Sequence, residues 1–258
     1  MGGRLQGKIA IVTGAGQGIG ASTARAFAAQ GAATVIAELN RETGRAIADE
    51  LRSSGAQAIF IETDVTEKDA VAAMVARTVE TFGGVDILVN NAGANVFYEP
   101  LAMPDEEWER CLRLDLEAAW LCSRAVLPIM LEKGAGAIIN IASCHGFRII
   151  PHTFPYPVAK HALLGLTRSL GIEYAAHGIR VNAIAPGYIE TPIAEAYWNT
   201  FPDPAAEKQR AYDLHPPKRI GRPEEVAMTA VFLASDEAPF INAATITIDG
   251  GRSVLYHD

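Results

Sequence analysis

The feature that most constrains the fold is a glycine-rich turn between an apolar run and a helical pattern. Residues 8–13 are apolar and rich in β-branched side chains, which is typical of a buried strand. Residues 14–20 contain four glycines, and a helical pattern covers residues 21–30. This order is typical of a phosphate-binding turn, because the backbone N–H groups at a helix N-terminus can face a pyrophosphate. The alternative is that the glycines form only a flexible turn.

The same alternation of apolar runs and helical patterns continues along the chain. Six further runs predict strands: residues 33–37, 58–61, 86–90, 136–142, 181–185 and 244–249. Helical patterns lie between them: residues 41–54, 71–82, 103–133 and 152–176, with a last one from residue 222. Strands alternating with helices predict an α/β fold, a parallel sheet with helices on both faces. No linker or change of composition appears, so we expect one domain over 1–258.

Composition excludes several classes of partner. The chain has 258 residues and a net charge of −8, without a cluster of Lys or Arg, so we expect neither nucleic acid nor a membrane surface as partner. No apolar run approaches the ~20 residues of a membrane span, and the N-terminus lacks the apolar segment of a signal peptide. Three cysteines are too few for a disulfide framework and match no zinc spacing, so we expect a reducing, cytoplasmic setting and no metal.

The glycine turn supplies the first candidate contacts to a dinucleotide. Gly14 would allow the tight turn, Gly18 the approach of backbone N–H groups to the pyrophosphate, and Gly20 close packing of helix on strand. Gln17 and Ile19 complete the predicted contact segment.

An acidic residue at the end of the second predicted strand bears on the choice of dinucleotide. Glu38 lies about 20 positions after the turn, where a carboxylate can accept from the ribose hydroxyls and would repel a 2′-phosphate. Gln17 and Leu39 offer no compensating cation, so the sequence favours NAD over NADP. Arg41 is the exception, since it could reach a phosphate. The alternative is that Glu38 is a solvated loop acid.

Other strand ends carry further candidates for the dinucleotide. Asp64 and Val65 follow the third strand, where Asp64 could accept from the adenine amino group, cap the next helix, or do both. The remaining candidates follow the fourth and sixth strands: Asn91, Ala92, Gly93, Pro186, Gly187, Ile189 and Thr191.

A Tyr and a Lys four residues apart form the candidate catalytic pair. On a helix, Tyr156 and Lys160 would lie on one face. A free phenol has a pKa near ~10, and a neighbouring ammonium favours the phenolate and lowers that pKa. Tyr156 could then exchange a proton with an alcohol or alkoxide. Ser143, at the end of the fifth predicted strand, could hydrogen-bond the substrate oxygen. Taken alone, such a Tyr–Lys pair is more often two surface residues of a helix.

Together, these motifs resemble the short-chain dehydrogenase/reductase family, from about residue 8 to residue 251. The matching stretches are residues 13–20, 64–65, 90–93 and 186–187, with Ser143, Tyr156 and Lys160. The resemblance implies a Rossmann-type, doubly wound, seven-stranded sheet in the order 3-2-1-4-5-6-7, usually in a homotetramer. It implies hydride transfer between a nicotinamide and a carbonyl or alcohol carbon. Ser143 would orient the substrate oxygen, Tyr156 would be the general acid/base, and Lys160 would lower its pKa and bond the nicotinamide ribose.

One position departs from the family pattern. Members usually carry an Asn that holds a proton-relaying water near the lysine, and here the matching residue is Asp115. An ionised aspartate accepts but cannot donate a hydrogen bond. We expect its charge to strengthen the charged state of Lys160 and to weaken the effect of Lys160 on Tyr156. The relay is therefore in question, although the Ser–Tyr–Lys set is complete.

The substrate is predicted less directly. Residues 188–217 are rich in aromatics and proline and interrupt the strand–helix rhythm, which predicts a lid over the substrate. Candidate substrate contacts are Cys144, His145, His152, Glu190 and Trp198. The lid segment resembles those of sugar and polyol dehydrogenases, so an aldose or polyol is favoured. The alternatives are a 3-oxoacyl-thioester reductase and a non-catalytic, dinucleotide-sensing regulator.

Overall fold

The computed structural model describes residues 2–256 and contains one seven-stranded parallel sheet. Met1, His257 and Asp258, which belong to the predicted domain 1–258, lie outside the described residues. The strands are β1 Ile9–Thr13, β2 Ala33–Glu38, β3 Ala58–Glu62, β4 Ile87–Asn90, β5 Gly136–Ile141, β6 Ile179–Pro186 and β7 Thr245–Ile248. Their spatial order is 3-2-1-4-5-6-7, which confirms the predicted α/β Rossmann-type topology.

Helices cover both faces of this sheet. The α-helices of residues 2–256 are α1 Gly18–Ala29, α2 Arg41–Ser53, α3 Lys68–Phe82, α4 Asp105–Leu112, α5 Ala118–Lys133, α6 Tyr156–Tyr174, α7 Pro192–Trp198, α8 Pro204–Asp213 and α9 Pro223–Ala234. Within residues 2–256, no helix combines the length and the apolar character needed to cross a membrane.

The strands are apolar on both faces because each face packs against helices. In β1, Val12 belongs to the buried cluster that contains Phe27 of α1 and Val231 of α9. The neighbouring Ile11 points to the opposite face and joins Val126 of α5. Alternate side chains of one strand thus anchor two helical layers, and the carboxyl ends of the strands are left to form a site.

The predicted long helix over 103–133 is interrupted. The structure has α4, a π-helical turn over Arg113–Glu117, and then α5. The wider turn holds the buried Asp115. A pattern of apolar positions cannot reveal a single widened turn, and such turns occur frequently at functional sites.

The helix that carries Tyr156 begins later than predicted. The sequence pattern predicts a helix over residues 152–176, whereas α6 begins at Tyr156. Pro157 lies in its first turn, where a missing N–H costs no helical hydrogen bond. Residues 154–155 instead pair with residues 97–98 in a short antiparallel ribbon. His152 therefore lies before the helix, with a φ of 66°.

The segment over residues 188–217, here called the insertion, contains two short helices that the sequence pattern did not predict. Helix α7 is capped by the side chain of Thr191, and α8 by that of Asp203. Trp198 and Ala211 pack with Ile220 in a small buried cluster. The insertion is thus a folded unit with its own apolar contacts.

Candidate active site

A cleft of about 600 Å³ runs along the carboxyl ends of the strands, where open α/β sheets place ligands. It brings together most of the residues singled out from the sequence. Those at the dinucleotide positions are Gly14, Gln17, Gly18, Ile19, Glu38, Asp64, Val65, Asn91, Ala92, Gly93, Pro186, Gly187, Ile189 and Thr191. Those at the reactive and substrate positions are Asp115, Ser143, Cys144, His145, Tyr156 and Lys160.

Gly20, predicted as a dinucleotide contact, does not line the cleft. A Cβ atom there would lie 2.2 Å from the carbonyl oxygen of Gly14. Gly20 therefore allows α1 to pack closely against the glycine turn. This agrees with the prediction that Gly20 permits close packing of helix on strand.

Three predicted substrate contacts are not in the cleft. His152 is exposed on the segment before α6. Glu190 forms an ion pair with Lys208, at 3.2 Å. Trp198 is only 3 % exposed, and the ammonium of Lys208 lies 5.3 Å from its ring centroid. The sequence pattern marked these residues as polar or aromatic but could not show which way the insertion turns them.

The glycine turn has the geometry expected of a phosphate site. Gly14 and Gly18 have φ values of 60° and 54°, in the left-handed region that favours glycine. A Cβ atom on Gly14 would also lie 2.9 Å from the Cα of Ala92. Helix α1 begins at Gly18, and the side chain of Gln17 makes no capping hydrogen bond to it. Its first N–H groups can therefore serve a phosphate.

The carboxylate of Glu38 is held at the edge of the cleft. It accepts from the backbone N–H groups of Gly16, at 2.9 Å, and Asn40, at 3.0 Å. Arg41, the cation considered above as a partner for a phosphate, forms an ion pair with Glu62 at 2.6 Å. An acid thus faces this end of the cleft, while the nearby guanidinium is engaged elsewhere.

Two other predicted contacts also brace the site. The side-chain amide of Asn91 donates to the carbonyl oxygens of Thr13 and Gly14, at 2.9 and 3.0 Å, and so ties the end of β4 to the glycine turn. Asp64 accepts from the backbone N–H of Thr66 at 2.9 Å. Thr66 directly precedes Glu67, the N-cap of α3. Asp64 therefore orders the approach to the helix and also lines the cleft.

The candidate catalytic residues come from two adjoining elements. Ser143 follows β5, and its hydroxyl accepts from the backbone N–H of His145 at 3.1 Å. Tyr156 begins α6, and Lys160 follows one turn later. The ammonium of Lys160 lies 5.3 Å from the Tyr156 ring centroid and donates to the carbonyl oxygen of Ile141 at 3.4 Å. The three side chains line the same part of the cleft.

Asp115 pairs directly with the lysine. One carboxylate oxygen lies 3.1 Å from the Lys160 ammonium and also accepts from the backbone N–H of Ala94 at 3.3 Å. Asp115 is 2 % exposed, and its other oxygen has no hydrogen-bond partner among the described residues. A Cβ atom on Gly93 would lie 2.6 Å from the paired oxygen, so this glycine leaves room for the pair.

The charges around Tyr156 differ from the simple expectation. Burial raises the pKa of Tyr156; Lys160 lowers it and Asp115 raises it, and the net pKa is above the ordinary value. Burial opposes the charge on Lys160, but Tyr156 and Asp115 outweigh it and raise its pKa. The lysine therefore stays charged, and Asp115 offsets part of its effect on the phenol. Lys160 lowers the pKa of Tyr156, as predicted, but burial and Asp115 outweigh this effect in the protein alone.

Replacement of Asp115 by asparagine tests this balance. Because the carboxylate raises the pKa of Tyr156, its removal should lower that pKa, and activity that needs the phenolate should appear at lower pH. We expect Asp115→Asn to keep or raise kcat/KM and to shift the acidic limb of its pH profile downwards. A loss above about 100-fold, equivalent to ~2.7 kcal/mol, would instead give the carboxylate an essential role of its own.

Aromatic rings also lie around Tyr156. Phe97 meets Tyr156 edge-to-face at 5.8 Å and Tyr197 at 5.6 Å, and His145 lies 5.7 Å from Tyr156 between ring centroids. Burial, then the charges of Arg252 and His161, lower the pKa of His145 to about 4, so its imidazole is neutral. This wall suits the carbon skeleton of a small substrate.

Cys144 lines the cleft but is not an activated nucleophile. Burial, with the nearby carboxylate of Asp249, raises the pKa of its thiol to about 12. A thiol reacts as the thiolate, and a thiol with a pKa of about 12 is almost fully protonated near neutral pH. Cys144 and His145, both candidate substrate contacts, therefore line the cleft without forming a nucleophile pair.

Sequence reasoning missed a set of residues that also line the cleft. They are Phe97, Arg148, Asp249, Arg252 and Ser253. Asp249 follows the carboxyl end of β7, so the strand-end rule applied to the other strands could have found it. Nothing in the local sequence signals the others, because they reach the cleft only through the tertiary fold.

The fold and the residues that line the cleft are those of an oxidoreductase. The chain belongs to the short-chain dehydrogenase/reductase family. The family model described as enoyl-(acyl carrier protein) reductase matches residues 14–253. An uncharacterised oxidoreductase of Thermotoga maritima is 42 % identical over 251 residues, with 97 % of each chain covered. The cis-4-hydroxycyclohexanecarboxylate dehydrogenase of Sinomonas cyclohexanicum is 41 % identical, with 99 % of this chain and 100 % of that one covered.

Solved structures give the same assignment. Levodione reductase matches with a TM-score of 0.94 and 34 % identity, covering 98 % of this chain and 100 % of that one. A gluconate 5-dehydrogenase from Burkholderia cenocepacia, in complex with NADP and tartrate, matches with a TM-score of 0.92 and 35 % identity, covering 98 % of each.

Proposed function

We propose that the protein is an NAD-dependent dehydrogenase that interconverts a secondary alcohol or hemiacetal and the corresponding carbonyl of a small substrate. The observation that supports this most strongly is the convergence of Ser143, Tyr156 and Lys160 beside a glycine turn in one cleft. A dinucleotide-sensing regulator has no need for that set of side chains.

Each side chain has a role in this proposal. A nicotinamide dinucleotide held by the glycine turn and Glu38 would supply hydride transfer to or from the substrate carbon. In the oxidation, the hydroxyl proton passes to the oxygen of Tyr156, and in the reduction Tyr156 returns it to the forming alkoxide. Ser143 donates to the substrate oxygen and orients it. Lys160 remains charged, favours the phenolate and would bond the nicotinamide ribose.

The choice of NAD follows from the adenosine end of the cleft. Two backbone N–H groups hold the Glu38 carboxylate in place, and Arg41 is paired with Glu62. A 2′-phosphate would place ~2 negative charges against this carboxylate. The gluconate 5-dehydrogenase in complex with NADP shows that related proteins also bind the phosphorylated form, so the preference needs a direct test.

We expect kcat/KM for NAD⁺ to exceed that for NADP⁺ by about 100-fold, since close like charges at a protein surface cost a few kcal/mol. Glu38→Gln removes the charge at nearly constant size and should reduce this ratio by at least ~10-fold, mainly through a lower KM for NADP⁺. Glu42→Gln, on the exposed start of α2, is the matched control and should leave the ratio unchanged. Equal use of both dinucleotides by the unmodified protein would contradict the assignment.

For the substrate, the proposal keeps the sugar or polyol class and extends it to related hydroxy acids. Trp198 and Glu190 no longer support a sugar, because neither lines the cleft. Two of the similar proteins act, by name, on gluconate and on cis-4-hydroxycyclohexanecarboxylate, and each is a secondary alcohol that carries a carboxylate. The rings of Phe97 and Tyr197 suit a compact carbon skeleton.

A 3-oxoacyl-thioester reductase remains the alternative; the name of the matching family model shares with it only an acyl-thioester substrate, since that name describes reduction of an enoyl C=C bond. A panel of sugars, polyols, cyclic alcohols and hydroxy acids with NAD⁺, beside a 3-oxoacyl thioester with NADH and NADPH, separates the two by absorbance at the nicotinamide band. We expect turnover of secondary alcohols with NAD⁺. Turnover of the thioester alone would favour the alternative, and dinucleotide binding without any turnover would favour a regulator.

We also propose a cytoplasmic setting and a homotetramer. The described cysteines Cys111, Cys122 and Cys144 are free thiols, which suits a reducing compartment. The tetramer rests on family membership and is tested by light scattering of the purified protein.

A further inference from the structure

We propose that Arg252, with Arg148 beside it, forms a carboxylate-binding site at the substrate end of the cleft, so that the preferred substrate is an anionic hydroxy acid. This inference rests on the proposed dehydrogenase function and specifies its substrate class. It assigns the recognition of charge to residues outside the catalytic set.

Two arginines from distant parts of the chain meet in the wall of the cleft. Arg148 lies on the loop after β5, and Arg252 on the segment after β7. The Nε of Arg148 donates to the carbonyl oxygen of Ser253 at 3.1 Å and links the two segments. In a chain with a net charge of −8, two guanidinium groups at one end of a cleft are a local excess of positive charge.

The guanidinium of Arg252 is oriented without being neutralised. Its central carbon lies 4.9 Å from the ring centroid of Tyr188, so the aromatic face supports the planar group. Among residues 2–256, no carboxylate lies within 4.0 Å of the guanidinium of Arg252 or of Arg148. An oriented guanidinium can hold a carboxylate through two parallel hydrogen bonds.

The acids that line the cleft are each accounted for by other partners. Asp115 pairs with Lys160. Asp249, the acid nearest in sequence to Arg252, accepts from the backbone N–H groups of Gly251 and Ser253, at 2.9 and 2.7 Å. These hydrogen bonds satisfy the Asp249 carboxylate locally, so the arginines remain available to a ligand.

The arginines lie on the substrate side rather than the phosphate side of the cleft. The charge of Arg252 helps to lower the pKa of His145, whose ring lies 5.7 Å from that of Tyr156. The glycine turn that would hold the pyrophosphate comes instead from the β1–α1 connection. A carboxylate at Arg252 would therefore belong to the molecule whose hydroxyl faces Tyr156.

The test uses substrates that differ only in charge. Cis-4-hydroxycyclohexanecarboxylate and gluconate are each compared with their primary amide, which keeps the hydroxyls and the carbon skeleton. We expect kcat/KM for the better acid to exceed that for its amide by at least ~30-fold, as a charge-assisted bidentate contact would give. Arg252→Met should lower kcat/KM for the acid by about 100-fold, mostly through KM, and leave the amide within about threefold.

Two further variants separate charge from structure. Arg252→Lys keeps the cation without the planar fork, and we expect it to retain part of the preference for the acid. Arg45→Gln removes an exposed arginine of α2 outside the cleft and should change neither substrate.

The possible outcomes are distinct. If the wild type oxidises the amides as well as the acids, or if Arg252→Met loses both equally, the carboxylate site is refuted while the dehydrogenase function stands. If the wild type oxidises no secondary alcohol of the wider panel, the proposed function itself fails, and this inference fails with it.

Discussion

Replacement of Tyr156 by phenylalanine is expected to lower kcat by about 10³- to 10⁴-fold and to leave the Kd for NAD within about threefold. In the proposed mechanism the phenol exchanges a proton with the substrate oxygen, and phenylalanine keeps its ring packing against Phe97 and His145. The dinucleotide contacts of the glycine turn are untouched. NADH formation and the quenching of protein fluorescence by NADH measure the two quantities separately.

Tyr174→Phe is the matched control for this substitution. Tyr174 is the last residue of α6, packs against the buried cluster that contains Ile11 and Val126, and does not line the cleft. We expect nearly wild-type kcat from it. Substantial activity in Tyr156→Phe would remove the acid/base assignment, whereas equal losses in both variants would indicate a general effect of hydroxyl removal from α6.

Replacement of Lys160 by methionine is expected to reduce both activity and stability. The phenolate of Tyr156 loses its neighbouring cation, so we expect kcat to fall by about 10³-fold. Asp115, 2 % exposed, loses its ion-pair partner, and breaking a buried pair from one side costs about 3–5 kcal/mol of unfolding free energy. Lys133→Met, which breaks the pair with Asp86 outside the cleft, should leave kcat unchanged.

The pH dependence of this stability loss has a definite sign. Burial raises the pKa of Asp115 and Lys160 lowers it, and the net pKa in the wild type is raised. Without Lys160, the pKa of Asp115 in the folded protein lies still further above its unfolded value near ~3.9. Between these two pKa values the folded state binds more protons than the unfolded state, and stability falls as pH rises. Urea unfolding of Lys160→Met at fixed protein concentration should show a larger loss at pH 8 than at pH 5.

A double variant separates the two effects of Lys160. Asp115→Asn in the Lys160→Met background removes the buried charge that the lysine balanced, so it should restore most of the stability and flatten its pH dependence. It supplies no cation to Tyr156, so kcat should stay low. Recovery of activity together with stability would mean that Lys160 acts only as a structural partner of Asp115.

The sheet was predictable because its determinants are local. Each strand is an apolar run with helices on either side, and the glycine turn has its strand before it and its helix after it. The strand-end rule then placed Ser143 and the Asn91–Gly93 stretch in the cleft. Tyr156 and Lys160 followed from spacing on a helix, which is also a local property.

The parts that could not be predicted depend on tertiary contacts. Trp198 looks like a substrate contact in the sequence, yet it is buried in a cluster with Ala211 of the insertion and Ile220 just after it. Arg252 carries no motif and reaches the cleft only because the segment after β7 packs beside Tyr188. The net pKa of Tyr156 depends on its burial and on the widened turn that holds Asp115, and neither is visible in residue spacing.

The most direct test of the central claim is a crystal structure of the wild-type protein with NADH and its preferred secondary alcohol, a pair that cannot react. The account predicts the carbinol oxygen about 2.6–3.2 Å from the hydroxyl of Tyr156 and the Lys160 ammonium against the nicotinamide ribose. A nicotinamide ring bound away from both Tyr156 and Lys160 would contradict the account.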